Sequence, residues 1–430
     1  MAEPRITRII GAVNLGSFRI SAMIAGVQED GTPVILGSGH RASQGIKRGF
    51  VTDMAAATYA VRDAVERAEK LAGTSVQSIT MAASGAGLTT RVDPIEIEIG
   101  GRRVEEDDLE QLLLTARDTL EPDGRMVLHA SPACYFLDGA DGIANPLGLH
   151  ADRLGVDIHL VLAEGAPMRN LREAVQSAHL DVAALVASPL AAGLACLSVE
   201  ERDVGVALVE LGAQVTTVSV HAGGALVDMV CIPTGSADIT DAIASGLGIR
   251  RNQAERLKCF NGSAIASPAD HREMIPVNGP GDEQIGPIAR GADDRNRISR
   301  ADLVSTIVAE LDRQGGDIAR ALEAMGYAGA GARHQRGQVV LTGGGAELTG
   351  LADYMQSALG RPVRIGRPPA LKGLPEAHAA PGFSTLAGLI LQVLEDPADI
   401  RFLSPRHGGG QRQSGIAGAI RVWRAMKEYF

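Results

Sequence analysis

"ITRIIGAVNLGSFRISAMIAGV", residues 6–27, and "DVGVALVELGAQVTTVSVHAGGALVDMV", residues 203–230, follow one scheme. In each, an apolar, β-branched run ends at a polar residue, turns tightly and returns as a second strand-like run, as a β-hairpin requires. The turns read Asn14-Leu15-Gly16-Ser17 and Glu210-Leu211-Gly212-Ala213, both of the form polar–Leu–Gly–small. Such self-similarity marks an internal duplication. Between the hairpins, "MAAATYAVRDAVERAEKLAG" and "GAPMRNLREAVQSAHL" place apolar residues three and four apart, the helical period. Strands alternating with helices predict an α/β fold. Beyond residue 300, "RADLVSTIVAELDRQGGDIARALEAMGY" reads as a helix pair or one interrupted helix. "GQVVLTGGGAELTGL" then reads as a strand running through glycines into another helix.

A strand–glycine turn–strand leaves backbone N–H groups in a small concavity with no side chain in the way, which suits phosphate oxygens. One such turn is usually only a hairpin. Two related turns, followed by "LTGGGA" at a strand end, form a combination: Gly343, Gly344 and Gly345 would let the backbone approach an adenosine or its phosphates closely.

The bulk composition sets limits. The chain has 430 residues, 45% of them hydrophobic, which is too long for one simple core. Its formal net charge of −10 argues against a nucleic-acid coat protein. Cys134, Cys196, Cys231 and Cys259 have no CxxC spacing, which fits buried thiols in a reducing compartment. The start, "MAEPRITRIIGAV", lacks a signal-peptide pattern. "VAALVASPLAAGLACLSV", residues 182–199, is long enough to span a membrane but only weakly hydrophobic, so a buried helix is expected there. The histidines show neither metal-ligand spacing nor a nucleophilic triad.

Two glycine hairpins, an "AERLK" helix and "VVLTGGGAELTGL", in that order, resemble the actin, Hsp70 and sugar-kinase superfamily. Within it, the stretch from "MVLHASPACYFLDG" through "NPLGL" to "MRNLREAV" is similar to the FtsA family of bacterial cell-division actin homologues. So are "SGLGIRRNQAERLKCFNGSA" and "PGFSTLAGLILQVL". The resemblance runs from Arg8 to residue 395 and extends to the tail. It implies a two-lobed actin-like ATPase fold with an inserted subdomain and a C-terminal amphipathic helix. The implied divisions are residues 1–84 with 166–200 and part of 380–395 for the first lobe core, and 85–165 for the insert. Residues 201–244 and 336–380 would form the second lobe core, 245–335 its outer subdomain, 396–415 a flexible linker and 416–430 the membrane-targeting helix.

The resemblance also implies a cofactor, ATP or ADP, with or without Mg²⁺. Carried over by motif, Gly16, Ser17 and Arg19 belong to the first phosphate loop, and Glu210 and Gly212 to the second. Glu255 and Lys258 contact ribose or adenine, and Gly343, Gly344 and Gly345 form the adenosine motif. Standing alone, these glycines are turn residues and Glu255–Lys258 is a surface helix pair. The chain also departs from the family. Asn14 stands where an acid is usual, Ala213 and Gln214 replace small glycines, and Val215 replaces a hydroxyl. An Asn carries no charge to orient Mg²⁺ and its waters. Nucleotide binding with weak or absent hydrolysis is therefore expected.

The tail, "AIRVWRAMKEYF", holds the chain's one tryptophan, and from residue 404 onward five Arg/Lys stand against one Glu. Wound as a helix, Ile416, Ile420, Trp423, Met426 and Phe430 share one arc with Lys427, while Arg421 and Arg424 lie opposite. An apolar face flanked by basic residues, behind the Gly-rich "SPRHGGGQRQSG", is the pattern of an interfacial helix. The bland alternative is a helix docked on the body. The implied partners are the FtsZ C-terminal peptide on residues 245–335, copies of the chain itself as filaments, anionic phospholipid and later division proteins, with no nucleic acid. The implied location is the cytoplasmic side of the inner membrane at the septum. Two other readings are a PilM-like assembly adaptor and an active ATPase or kinase of the same superfamily.

Overall fold

The computed structural model describes residues 5–85, 87–143, 145–278, 297–328 and 337–403. Two sheets carry the duplication. In the first, the order is Asp181–Ala187, Ser78–Ala83, Ile6–Leu15, Arg19–Gln28, Pro33–Ala42. In the second, Val363–Ile365, Val339–Thr342, Val206–Leu211, Thr216–Ala222 and Ala225–Ile232 run in the same order. Each has three strands joined by hairpins, with two parallel strands added beside the first. The registers agree at the turns as well. Leu15 pairs with Ile20 and Asn14 with Ser21, as Leu211 pairs with Thr216 and Glu210 with Thr217. The repeated sequence is thus a repeated topology, and it makes Arg19 the counterpart of Val215.

Small residues bring a helix directly onto the first sheet. Helix Met54–Ala72 buries Ala57, Ala60, Ala64 and Ala68. Strand Pro33–Ala42 meets it with Gly37 and Gly39, where a Cβ would lie 2.2 Å from the carbonyls of Ala68 and Ala64. Asp53 caps this helix by accepting from the Ala56 amide, and left-handed Gly73 ends it. Helices Ser188–Cys196 and Ser384–Glu395 form a layer between the sheets. Leu386, Leu389 and Ile390 face the first sheet, and Ala192 and Ala195 join Val206, Leu208 and Val340 of the second. The two helices touch backbone to backbone: a Cβ on Gly388 would lie 1.8 Å from the Ala191 carbonyl oxygen.

The second sheet continues through one pairing, Val230 with Thr89, into Thr89–Glu98, Arg153–Ala163, Met126–Leu137 and Ala140–Ile143. Helix Glu106–Thr119 covers this extension with Leu112, Leu113 and Ala116. Helices Ser236–Leu247, Arg251–Asn261 and Arg300–Ala324 pack beside the second sheet through Ile239, Ile243, Leu257 and Leu311. Each such buried aliphatic side chain contributes roughly 1.5–3 kcal/mol.

Four expectations change. Residues 182–199 are a strand, Asp181–Ala187, followed by helix Ser188–Cys196, with Pro189 in the helix's first turn. A continuous apolar run does not distinguish a buried strand from a buried helix, and the proline sets the boundary. Arg300–Ala324 is one uninterrupted helix: the glycine pair costs only about 1 kcal/mol of helix propensity per residue, which the buried face of Leu303, Ile307, Leu311, Ile318 and Leu322 outweighs. Cys259 is exposed rather than buried. Residues 398–403 are not linker: Ile400 and Leu403 are buried in the core of the insert. The linker expectation for 404–415 and the helix expectation for 416–430 lie outside the described residues. Among the described residues, no helix is long and apolar enough to cross a membrane.

Candidate functional site

The two glycine turns are built alike. A Cβ on Gly16 would lie 2.8 Å from the Arg19 carbonyl oxygen, and one on Gly212 would lie 2.6 Å from that of Val215. Either turn therefore needs glycine to stay this tight. The Gly212 amide donates to the Val215 carbonyl at 3.0 Å. Ser17 is half-buried on the first turn and Phe18 is exposed. The second turn also seats a helix. The amides of Ser236 and Ala237 donate to the Gly212 and Ala213 carbonyls at 3.0 and 2.7 Å, so two N–H groups that the helix start leaves orphaned find partners on the turn.

The glycine run divides by task. Gly343 sits at φ 83, ψ 167, a region essentially reserved for glycine, and its Cβ would lie 2.5 Å from the Leu211 carbonyl oxygen. A Cβ on Gly345 would lie 3.0 Å from Leu211 and 3.4 Å from Ser236. These two glycines pack the strand end onto the second turn. Gly344 differs: a Cβ there would meet nothing within 4 Å. It is the glycine of the run that borders open space.

Arg19 joins the first turn to this run. Its guanidinium lies 4.0 Å from the Phe383 ring centroid and 3.5 Å from the Gly382 carbonyl oxygen. Gly382 in turn packs against both: an added Cβ would lie 2.9 Å from the Arg19 guanidinium and 3.4 Å from the Gly344 Cα. Burial lowers the Arg19 pKa, and Glu347 opposes that shift. The first turn thus reaches Gly344 through Arg19 and Gly382, and Gly343 and Gly345 reach the second turn at Leu211.

The remaining site residues are engaged inward. Lys258 is buried, with its ammonium 2.8 Å from the Ser236 carbonyl, 2.8 Å from Thr240 Oγ1 and 2.9 Å from Glu255. Burial pushes the Glu255 carboxyl up, but the Thr240 hydroxyl and Lys258 outweigh it and leave the group below its usual range. The pair therefore braces the helix that caps the second turn. Glu210 accepts from Ser188 Oγ at 2.8 Å on one oxygen and from Thr385 Oγ1 on the other. Burial raises its pKa and the two hydroxyls only partly offset this.

The substituted positions of the second turn also have partners. Gln214 Oε1 accepts from the Arg48 amide at 3.0 Å, and the Arg48 guanidinium lies 3.8 Å from Asp238. A first-lobe loop is thereby fastened to the second turn. Sequence reasoning missed Arg48, Asp238, Ser188, Thr385 and Phe383. The last two lie in "PGFSTLAGLI", which the family pattern singled out without a role, and Arg48 has no local signal. The tail residues Ile416, Ile420, Arg421, Trp423, Arg424, Met426, Lys427 and Phe430 lie outside the described residues.

The family model "Cell division protein FtsA" matches residues 207–388, and "SHS2 domain inserted in FTSA" matches residues 85–162. Cell division protein FtsA of Agrobacterium fabrum is 35% identical over 438 residues, covering 99% of this chain and 95% of the relative. This chain belongs to the FtsA family. It is a cell-division protein of actin-like α/β fold. The fold is also that of the PilM–PilN type IV pilus biogenesis complex (TM-score 0.59, 16% identity, 90% of this chain and 98% of the other). It is likewise that of Spiroplasma citri MreB5 bound to ADP (TM-score 0.54, 12% identity, 91% and 98%). The PilM likeness at that identity is one of fold alone, whereas the FtsA match extends through the sequence of nearly the whole chain. That comparison separates the FtsA reading from the PilM-like one.

Proposed function

We propose that this FtsA-family chain is a membrane-tethering adaptor of division. It takes ATP or ADP between its lobes, assembles with copies of itself and binds the C-terminal peptide of FtsZ through residues 245–335. It reaches anionic phospholipid through residues 416–430, at the cytoplasmic face of the inner membrane at the septum, where later division proteins join. The division into lobes, outer subdomain, insert and tail is as the resemblance implies, with the linker beginning after residue 403.

One observation carries the nucleotide part. Gly344 presents bare backbone to open space beside Arg19 and between two matched glycine turns, a lining that fits an adenine nucleotide. Arg19 would supply charge toward phosphate, Gly344 a close backbone approach, and Glu255 and Lys258 the bracing of the second turn. The metal end fits less well. Asn14 carries no charge, and both Glu210 oxygens already accept hydroxyl hydrogen bonds. Any Mg²⁺ would come held by the nucleotide's phosphates, and hydrolysis would be weak or absent. This disfavours the active ATPase or kinase reading.

Calorimetric titration with ADP and ATP, with and without Mg²⁺, tests the cleft. Binding little affected by Mg²⁺, with turnover far below the usual range of about 1–10³ s⁻¹, is expected. Failure of either nucleotide to bind, or turnover of several per second, would overturn it. Pelleting with anionic vesicles, with and without FtsZ, tests the tether.

A further inference from the structure

We infer that the groove between the insert and the two lobes receives this chain's own segment 404–430, which holds the tail back from lipid until it is displaced. The inference rests on the reading of that tail as an amphipathic helix. The groove encloses about 1380 Å³, and the residues of the glycine turns are not among those that line it. Leu109 and Leu113 of the insert's helix, Leu128 and Tyr135 of its strand, Leu190 of the central layer and Leu226 of the second lobe line it. Small-ligand sites usually occupy about 300–1,000 Å³, so this space is scaled for the face of a helix. Its mouth carries exposed apolar side chains, Val199 and Phe402.

The path of the chain selects the occupant. Residues 398–403 run along the groove, with Ile400 and Leu403 buried and the Arg401 guanidinium donating to the Val127 carbonyl at 2.7 Å. Arg117 donates to the Leu403 carbonyl. Leu403 itself lines the groove, so the described residues end at its wall. Twelve residues, 404–415, span at most about 43 Å when extended, and a 15-residue helix is about 22 Å long. The tail can therefore reach any part of the groove, and a short tether gives an effective concentration on the order of millimolar.

Charge agrees with this choice. The lining includes Glu106, Glu110, Asp203, Glu395, Asp396 and Asp399 against Arg8, Arg172, Arg202 and Arg401, an acidic excess. The tail carries five Arg/Lys and one Glu. The arc centred on Trp423 would enter the groove and the basic residues would meet its rim. The same arc would be needed at a membrane, so the two positions exclude each other.

The single tryptophan makes the test specific, because all tryptophan emission from the full chain reports position 423. Without lipid, blue-shifted emission is expected, with acrylamide quenching at least about threefold below that of N-acetyltryptophanamide and unchanged on dilution. Val199→Lys with Phe402→Lys, at two exposed positions, should restore free-tryptophan quenching with an unchanged melting temperature. It should also raise pelleting with phosphatidylglycerol vesicles several-fold. Glu106→Lys with Glu395→Lys alters rim charge alone and should shift both readouts the same way. Full quenching in the lipid-free parent, protection that ignores both pairs, or protection lost on dilution, as a second copy would give, each overturns the inference. Groove-dependent protection with no vesicle binding by any variant would sink the membrane reading and leave the docking intact. Vesicle binding with an exposed Trp423 would do the reverse.

Discussion

Alanine at two adjacent glycines should separate folding from ligand binding. At Gly343 an alanine must adopt φ 83, ψ 167, which costs about 1–3 kcal/mol for a residue with a Cβ. Its methyl would also sit 2.5 Å from the Leu211 carbonyl oxygen, backbone that cannot swing aside. The strand end or the second turn must shift, and overpacking of this kind typically adds about 1–3 kcal/mol. A total near 2–6 kcal/mol is expected. For a domain of 150–250 residues, each 1 kcal/mol moves the midpoint by about 2–4 °C, so the drop should exceed about 4 °C. Gly344→Ala meets no atom within 4 Å and should melt within about 1 °C of the parent. Its methyl would instead enter the space proposed for the nucleotide and should weaken ADP binding at least about tenfold, or 1.4 kcal/mol. Scanning calorimetry and fluorescent-ADP titration read the two effects. Equal melting shifts for both variants would refute the steric argument. Unchanged ADP affinity in Gly344→Ala would refute the placement of the ligand.

The other predictions concern the phosphate end, acid stability and the tail. Gln214→Gly removes the acceptor for the Arg48 amide, and a hydrogen bond of this type is worth about 0.5–1.5 kcal/mol. Faster amide exchange at residues 47–49 and up to about tenfold tighter ATP binding are expected, and unchanged exchange would count against the fastening. His129 and His221 are buried, and desolvation lowers their pKa values to about 4 and about 3; Asp399 partly opposes the shift at His129. Their depressed values give stability that is full above the ordinary pKa of 6.5 and is lost as pH falls toward 4. His129→Gln retains an acceptor for the Ala187 amide and should flatten the dependence of the urea midpoint on pH in that window. An unchanged slope would show that His129 is not the titrating group. Trp423→Glu should abolish vesicle binding without lowering the melting temperature of the body. Arg421→Glu with Arg424→Glu should weaken binding mainly to anionic lipid at low salt, because exposed charges are screened beyond about 10 Å at 0.1 M. If the double charge reversal acts equally at high salt, the electrostatic account is wrong.

The duplicated hairpins were legible in the sequence because turn chemistry is local: polar–Leu–Gly–small repeats, and the register at Leu15–Ile20 and Leu211–Thr216 repeats with it. The glycine run was legible as a motif, but its division of labour was not. Which of three glycines meets Leu211 depends on strand placement far along the chain. Residues 182–199 were misread because strand and helix share one apolar run, and only Pro189 marks the change. Lys258 read as a ligand contact or a surface pair, yet it lies buried against Ser236 and Thr240, partners supplied by another helix. Arg48 gave no signal, since its link to Gln214 joins residues 166 positions apart.

The crossing of Ser188–Cys196 and Ser384–Glu395 at Gly388 limits how the helical layer between the two sheets can move. With no space for a methyl group between Gly388 and the Ala191 carbonyl, sliding either helix by a residue would force Ala387 or Leu389 into the backbone of its partner. Translation is blocked, while rotation about the contact is not. Relative motion of the two sheets through this layer would then be a twist rather than a slide. In a polymer of such subunits, a small twist would be copied at every repeat, so its effect would accumulate as curvature along the chain of molecules rather than as a change in spacing.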